Sequence, residues 1–565
     1  MSDLPDIDRR HFWLFMLFAL VLLGLGIGLR DPWPSDEPRF TLAAKQMVES
    51  GDWMFPHRGS ELYADKPPML MWMEAAAFEV FRSWRVAFLL PSLLAGLLSL
   101  ALTYDLGRRL WNPRVGLFAA GALLCVFQFV YQVKRAQIDP LVMGEITLAN
   151  WGLLLHFLRG PNWRAYWLGC FMAGIGVITK GVGFLALLMF VPYLFARLRG
   201  WDVTRTRDST WHWLLGALAF FAAIGLWLVP MLLTAHARNA LEYTAYVNDI
   251  LLHQTANRYA GSWSHPQPFW YFIPVLLFAW FPLSLGYVGA APRWLAAFRE
   301  RDARILLPLG WSVLVLVFFS IAVGKRDVYV MPMLPMVALA MAPFLEDILR
   351  ARWLRVAAWV LAIAGGAALI GYGIWALRGA PAAIKLAQGR GIDDADAASV
   401  WWMLVCVGAT FVLAALILRM RRGVQALLAG SVALWLAWSV WAYPLLNDSS
   451  SARGIMREAG RLIGPDAQLG LVGWKEQNLL MADRPAQDFG FQKPSAQQFA
   501  AAAQWQAQAP QQRWVFAIED AIGNCVDRSR AQRAGIANRR NWWVYRLDAV
   551  VPGCVPKTGG ATDGE

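Results

Sequence analysis

Apolar residues in this chain come in long unbroken blocks separated by short polar stretches. The first block, 11–29, reads HFWLFMLFALVLLGLGIGL; later ones include 86–102, 213–233, 305–323 and 356–377. Each approaches the roughly 20 residues that a helix needs to cross hydrocarbon. The short alternating segments of a membrane β-barrel are absent. The pattern predicts a polytopic α-helical membrane protein with about thirteen spans. Two shorter blocks, 165–179 and 181–196, flank ITKGVG and predict a hairpin with Lys180 at its turn. One long tilted helix is the competing reading there, and it would invert every later loop.

The blocks end near residue 446, which divides the chain into a membrane domain, 1–446, and a tail, 447–565. In the tail, AQLGLVGW (467–474), RWVFAIE (513–519) and NWWVYRL (541–547) predict strands, and 451–464 and 495–508 predict helices. That alternation is expected to give a small soluble α/β domain.

Composition agrees with the membrane reading: 58% of residues are hydrophobic and 16% charged, where a soluble domain carries about a quarter charged. The DPWPSDEP that follows the first block lacks a signal-peptide cleavage site, so that block is expected to remain as a span. The net charge of +13 could suggest nucleic acid. The arginines, however, cluster in alternate loops: Arg9–Arg10, Arg108–Arg109–Arg114, Arg159–Arg164, Arg197–Arg207, Arg293–Arg304, Arg350–Arg355 and Arg419–Arg422. This is the positive-inside signature of membrane orientation. It excludes nucleic acid as the partner and places the N-terminus in the cytoplasm. The loops 30–83, 134–140, 179–182, 235–267, 324–330 and 378–398, and the tail, then lie on the outer, non-cytoplasmic face of the membrane.

The first of these loops, 30–83, carries the most chemistry. Residues 37–50 have one apolar face (Phe40, Ala43, Ala44, Met47, Val48), Asp36 or Ser35 as N-cap, Pro38 in the first turn and Gly51 as stop. A second amphipathic stretch covers about 69–82. Both can lie in the membrane interface. Read alone, Asp36 is a helix cap and Lys66 a snorkelling lysine.

The combination DEPRF…SGDWMFPH…LYADKPPMLMW resembles the opening signature of polyprenyl-phosphate-dependent glycosyltransferases of the C-type fold. The branch it is similar to holds the lipid A aminoarabinose transferases and the bacterial relatives of protein O-mannosyltransferases. The resemblance implies a sugar donor carried on polyprenyl phosphate, a lipid, glycan or protein acceptor, and a site on the periplasmic face of a bacterial-type inner membrane. It places the essential carboxylate at Asp36, with Arg39 one helical turn away, and a second acidic position at Asp139 in KRAQIDPLV. Lys66 matches the lysine near the carrier phosphate, and Lys180 the family's Thr-Lys-Gly turn. Arg258, His265 and PFWY (268–271) match an Arg-aromatic, a His and a Pro-Phe-Trp-Tyr, and Lys325 and Tyr329 a Lys-x-x-x-Tyr-x-x-Pro. No organic cofactor is implied. A divalent metal stays open, with Asp65, where relatives often have Glu, and His265 as candidate ligands. Lys134 and Arg135, basic near the outer face, are further candidates to attract the carrier phosphate.

Of 5 cysteines, Cys125, Cys170 and Cys406 fall in predicted spans, while Cys525 and Cys554 in the tail are candidates for a disulfide. A flippase of lipid-linked sugars is the alternative function; it predicts ionisable residues near mid-span and internal repeats.

Overall fold

The protein is described here from a computed structural model that covers residues 9–206, 210–252 and 266–556. Among the described residues, eight helices are long and apolar enough to cross a membrane, and ten if each of two bent pairs is one span. The bent pairs are Pro113–Cys125 with Phe127–Val133, at 72°, and Phe272–Ala279 with Leu283–Arg299, at 99°. Arg9–Gly24, Trp163–Lys180 and Gly183–Leu198 lie where three further spans are expected, but they are too short or too weakly apolar to be counted with these ten. The chain reverses at Lys180 as the hairpin reading requires. Gly181 takes the left-handed conformation at φ 82° and caps the helix on the Val177 carbonyl. Gly183 then packs so closely against Trp163–Lys180 that a Cβ there would lie 2.3 Å from the Ala173 carbonyl oxygen.

Burial separates centre from rim. The hydrophobic core of Ile138–Arg159 is 83% buried, and that of Thr210–Arg238 or Arg352–Leu377 only 22%. The rim helices expose leucine, valine and phenylalanine outward, as lipid-facing surfaces do. The arginine-rich loops gather at one end of the bundle. There Arg304 donates to the Leu110 carbonyl at 3.4 Å, and Arg114 pairs with Glu346 at 3.4 Å. The first loop and the tail meet at the opposite end.

The first loop forms helices Glu37–Ser50 and Met69–Phe81, joined through a two-stranded ribbon, β1 (His57–Arg58) and β2 (Glu61–Leu62). Pro38 sits in the first turn of Glu37–Ser50, and Gly51, at φ 75°, ends it. The Ser-Gly-Asp-Trp segment is architectural. The Asp52 carboxylate accepts from the Met54 and Phe55 N–H groups at 3.2 and 3.3 Å and from Arg238 at 2.6 Å.

The tail folds as a five-stranded sheet with helices Arg453–Ile463 and Ser495–Gln508. Its strands are β3 (Gln468–Val472), β4 (Ala486–Asp488), β5 (Arg513–Ile518), β6 (Gln532–Ala537) and β7 (Arg540–Tyr545), in the order β4-β3-β5-β7-β6. β3 runs parallel to β4 and β5, and β7 antiparallel to β5 and β6. β3, β5 and β7 are the three strands read from sequence. β4 has only three residues, and β6 is a weakly apolar edge strand with a register shift between Arg533 and Gly535, so neither carries a hydrophobic pattern. Cys525 and Cys554 are disulfide-bonded.

The sheet domain is seated on the first loop. Ser60 donates to Asp488 at 2.7 Å, the Gln492 N–H to Glu61 at 3.0 Å, and the Arg58 guanidinium lies 4.0 Å from the Phe491 ring centroid. Leu42 belongs to the apolar core of the sheet domain. Asp31 fastens the junction: it accepts from Arg85 at 2.9 and 3.0 Å, from Arg453 at 2.5 and 2.7 Å, and from the Asn447 side chain at 2.8 Å.

Glu74, on Met69–Phe81, is fully buried. Burial pushes its carboxyl well above the ordinary range and the charge on Glu37 adds to this, while the Thr41 hydroxyl works the other way. An acid that stays protonated when folded loses stability as pH rises above its unfolded value, because only the unfolded chain then ionises. Glu74→Gln is therefore expected to raise the thermal midpoint of the detergent-solubilised protein at pH 7–8, by the equivalent of about 1 kcal/mol or more. The gain should shrink towards pH 4.5, and a pH-independent change would assign the effect to packing.

Candidate active site

Asp36 is placed where a helix cap would be, but its side chain makes no capping bond. The carboxylate turns outward from the helix. It accepts from the Gln137 side chain at 3.1 Å, and it faces Arg326 at 3.5 Å and Arg39 at 3.8 Å. Helix geometry puts residues three apart on one face, which is why Arg39 shares the space of Asp36.

Two residues beyond Gln137, Asp139 stands in the first turn of Ile138–Arg159 and accepts from Lys180, at the end of Trp163–Lys180. The Lys180 ammonium lies 4.8 Å from the centroid of the Tyr329 ring. The Tyr329 N–H donates to the Arg326 carbonyl at 3.1 Å, and Arg326 returns to Asp36. These contacts close a ring of four chain segments: 36–39, 137–139, 180 and 326–329. Five residues named from the sequence, Asp36, Arg39, Asp139, Lys180 and Tyr329, sit on it. Asp36, Asp139 and Lys180 are 16%, 15% and 13% exposed, so each is partly dried but reachable.

The other named residues are placed differently. Lys66 is half-buried in the turn between β2 and Met69–Phe81, next to Asp65, which faces Arg58 at 3.5 Å. Lys325 is buried, and its ammonium donates to the Gln267 and Ala322 carbonyls at 2.9 and 2.5 Å. An ammonium has three donors, and two of them are taken up among the described residues. Arg258 and His265 lie outside the described residues. Among the described residues, no group of three His, Cys, Asp or Glu side chains could hold a metal ion. Lys134 does not face outward: it donates to the Leu23 and Leu25 carbonyls at 3.2 and 2.8 Å and to Ser439 at 2.8 Å. Its three N–H groups brace the end of the first helix.

Several residues that shape the site were not legible. Glu37, fully buried, accepts from Arg30 at 2.5 and 2.8 Å, from the Trp33 N–H at 2.7 Å and from the Ala136 N–H at 3.1 Å. It fixes the turn that presents Asp36 against the segment that presents Gln137. Arg30 in turn lies 4.9–5.1 Å from the ring centroids of Trp33, Phe88 and Tyr443. Glu145, buried within Ile138–Arg159, accepts from Thr179 at 2.9 Å, which locks the helix end carrying Lys180. A guanidinium this close to the outer end of the first span, and a Glu inside an apolar block, were the available signals.

Residues 65–227 match the family model of dolichyl-phosphate-mannose-protein mannosyltransferases. The chain is 33% identical over 355 residues to the undecaprenyl phosphate-alpha-4-amino-4-deoxy-L-arabinose arabinosyl transferase of Pseudomonas aeruginosa strain UCBPP-PA14. That match covers 61% of this chain and 61% of the relative, so it spans less than two thirds of the relative's length. The crystal structure of ArnT from Cupriavidus metallidurans in the apo state aligns with a TM-score of 0.71 at 19% identity, covering 96% of this chain and 100% of that one. The same protein bound to undecaprenyl phosphate aligns with a TM-score of 0.69 over the same shares. The chain thus has the fold of ArnT: a multi-pass helical membrane domain with a C-terminal sheet domain. The resemblance read from the first loop is borne out by these relatives.

Proposed function

From a chain related over 61% of its length to undecaprenyl phosphate-linked aminoarabinose transferases, and folded like ArnT, we propose an integral membrane glycosyltransferase. It moves a sugar from a polyprenyl-phosphate carrier to a lipid A, glycan or protein acceptor on the periplasmic face. The single observation that carries this reading is the ring joining Asp36, Arg39, Asp139, Lys180, Tyr329 and Arg326 at one end of the bundle. Carboxylates and cations are brought together there at the same end as the interfacial helices of the first loop. A carrier whose tail lies in lipid would present its phosphosugar at that level.

In the reaction the acceptor oxygen bonds to the anomeric carbon, and the bond from that carbon to the phosphate oxygen breaks, its electron pair leaving with the phosphate. The departing charge needs cations already in place. Arg39, Lys66 and Lys325 are assigned this role, together with Arg258, which lies outside the described residues. Asp36 takes the proton of a hydroxyl acceptor, or orients it. A phosphate acceptor is already ionised, and Asp36 then acts by positioning alone. Asp139 holds Lys180 and the sugar side of the pocket. His265 and Asp65 remain the candidates for a divalent metal.

Membranes containing the protein, given labelled polyprenyl-phosphate sugar and lipid A, test the reading. Release of carrier phosphate with labelled acceptor is expected; movement of the intact donor without cleavage would assign a transporter instead. In the same assay Lys66→Ala should raise the donor KM about tenfold, the worth of one charge-assisted phosphate contact. An unchanged donor KM would remove Lys66 from the phosphate site.

A further inference from the structure

The sheet domain places a carboxylate among the arginines of the first loop. Glu476 is 3% exposed, at the start of the short helix Glu476–Leu480 that follows β3. It accepts from Arg39 Nε at 2.9 Å and faces Arg58 Nη1 at 3.7 Å. Arg58 is itself buried, against Tyr63 on one side and Phe491 on the other, with Asp65 at 3.5 Å. Arg39 is the residue beside Asp36, so one carboxylate of the tail reaches the candidate active site through a single guanidinium.

We propose that Glu476 is a positioning residue for the transfer reaction, and that the sheet domain thereby completes the active site rather than only covering it. This rests on the glycosyltransferase reading above. A guanidinium carries five donors in a fixed fork. Glu476 takes the Nε–H, which orients the plane of Arg39 and leaves both terminal nitrogens for Asp36 and for an anionic ligand. The present Arg39–Asp36 separation of 3.8 Å is longer than a direct charge-assisted bond of about 2.8 Å. Without Glu476, Arg39 is free to close that gap and engage the Asp36 carboxylate directly. Asp36 would then be tied up at the moment when it must meet the acceptor. Arg39 is still present in Glu476→Ala and shares the carrier phosphate with Lys66 and Lys325, so ground-state donor binding should change less than the transfer step.

The inference predicts an asymmetric kinetic effect. With full-length protein in the labelled transfer assay, Glu476→Ala should lower kcat about tenfold or more, with donor KM changed less than about threefold. Glu476→Gln keeps an oxygen acceptor for Nε–H and should recover part of the loss. Ser60→Ala removes another contact of the same interface, the hydrogen bond from Ser60 to Asp488, without touching either arginine. It should leave kcat within about twofold. Equal losses in Glu476→Ala and Ser60→Ala would reduce Glu476 to a docking contact and overturn the inference, as would an unchanged kcat in Glu476→Ala. Binding of polyprenyl phosphate to the wild-type protein, read by native mass spectrometry, separates the two levels. Carrier binding together with a Glu476→Ala variant of normal kcat sinks only this inference, whereas no carrier binding and no turnover in the wild type sinks the glycosyltransferase reading and this inference with it.

Discussion

Asp36→Asn is expected to abolish sugar transfer, by at least about a hundredfold, with no loss of protein from the membrane. Asn matches the size of Asp and can still accept from Gln137, so the local shape survives. What disappears is the negative charge facing Arg39 and Arg326, and with it any ability to take a proton. Folding should be unaffected for two reasons. The side chain makes no capping bond to Glu37–Ser50, and the turn is held instead by Glu37 through Arg30 and two backbone N–H groups. Glu37→Gln supplies the contrast: it should lower the yield of folded protein as well as activity, since it leaves the buried Arg30 without its counter-charge. The check is turnover per unit of protein in purified membranes, alongside gel-filtration profiles in detergent. Full activity in Asp36→Asn would defeat the assignment.

How much of this was legible follows the range of the interactions. Helix Glu37–Ser50 was readable to its ends because its signals are local: Pro38 in the first turn, Gly51 at the stop and an apolar face between. The hairpin at Lys180 was readable because basic loops bracket it and Gly181 and Gly183 permit the reversal. Asp36 itself was ambiguous. Local pattern made it a cap, and the resemblance gave it another task; its observed partner Gln137 lies 101 residues away. Glu37 beside it had no legible role, because burial by segments near 30 and 136 leaves no mark on a ten-residue window. Glu476 was beyond reach for the same reason: 437 residues separate it from Arg39, and nothing around KEQNLL distinguishes its carboxylate from a surface one. Lys134 misled in the opposite sense. A lysine near the outer face has the same text whether it meets a phosphate or braces three oxygens inside the fold.

The second large effect is expected at Asp31, which ties the first loop, the span beginning at Trp84, the end of the last membrane helix and the sheet domain to one carboxylate. Burial on its own would push this carboxyl up. The hydrogen bonds from Arg85, Arg453 and Asn447 outweigh it and hold the group down at about 2. A carboxyl whose folded value lies below its unfolded value of 3.8 contributes stability that is complete above that unfolded value. The contribution is lost as pH falls from about 4 towards 2, and its size is about 2 kcal/mol. Asp31→Ala should cost more than this, about 3 kcal/mol, because Arg85 and Arg453 then face each other across the junction with no shared counter-ion. Asp31→Asn keeps the shape and should fall between. The expected phenotype is a loosened sheet domain in an otherwise folded membrane bundle. Limited proteolysis should cut near 447–452 in Asp31→Ala at neutral pH, and in the wild type only as pH approaches 3. Because Arg39 is oriented from the sheet domain, transfer activity should fall together with the appearance of that cut. Cleavage without loss of activity would show that the domain is dispensable to the site, and equal acid sensitivity in wild type and Asp31→Ala would show that the carboxylate is not the clamp.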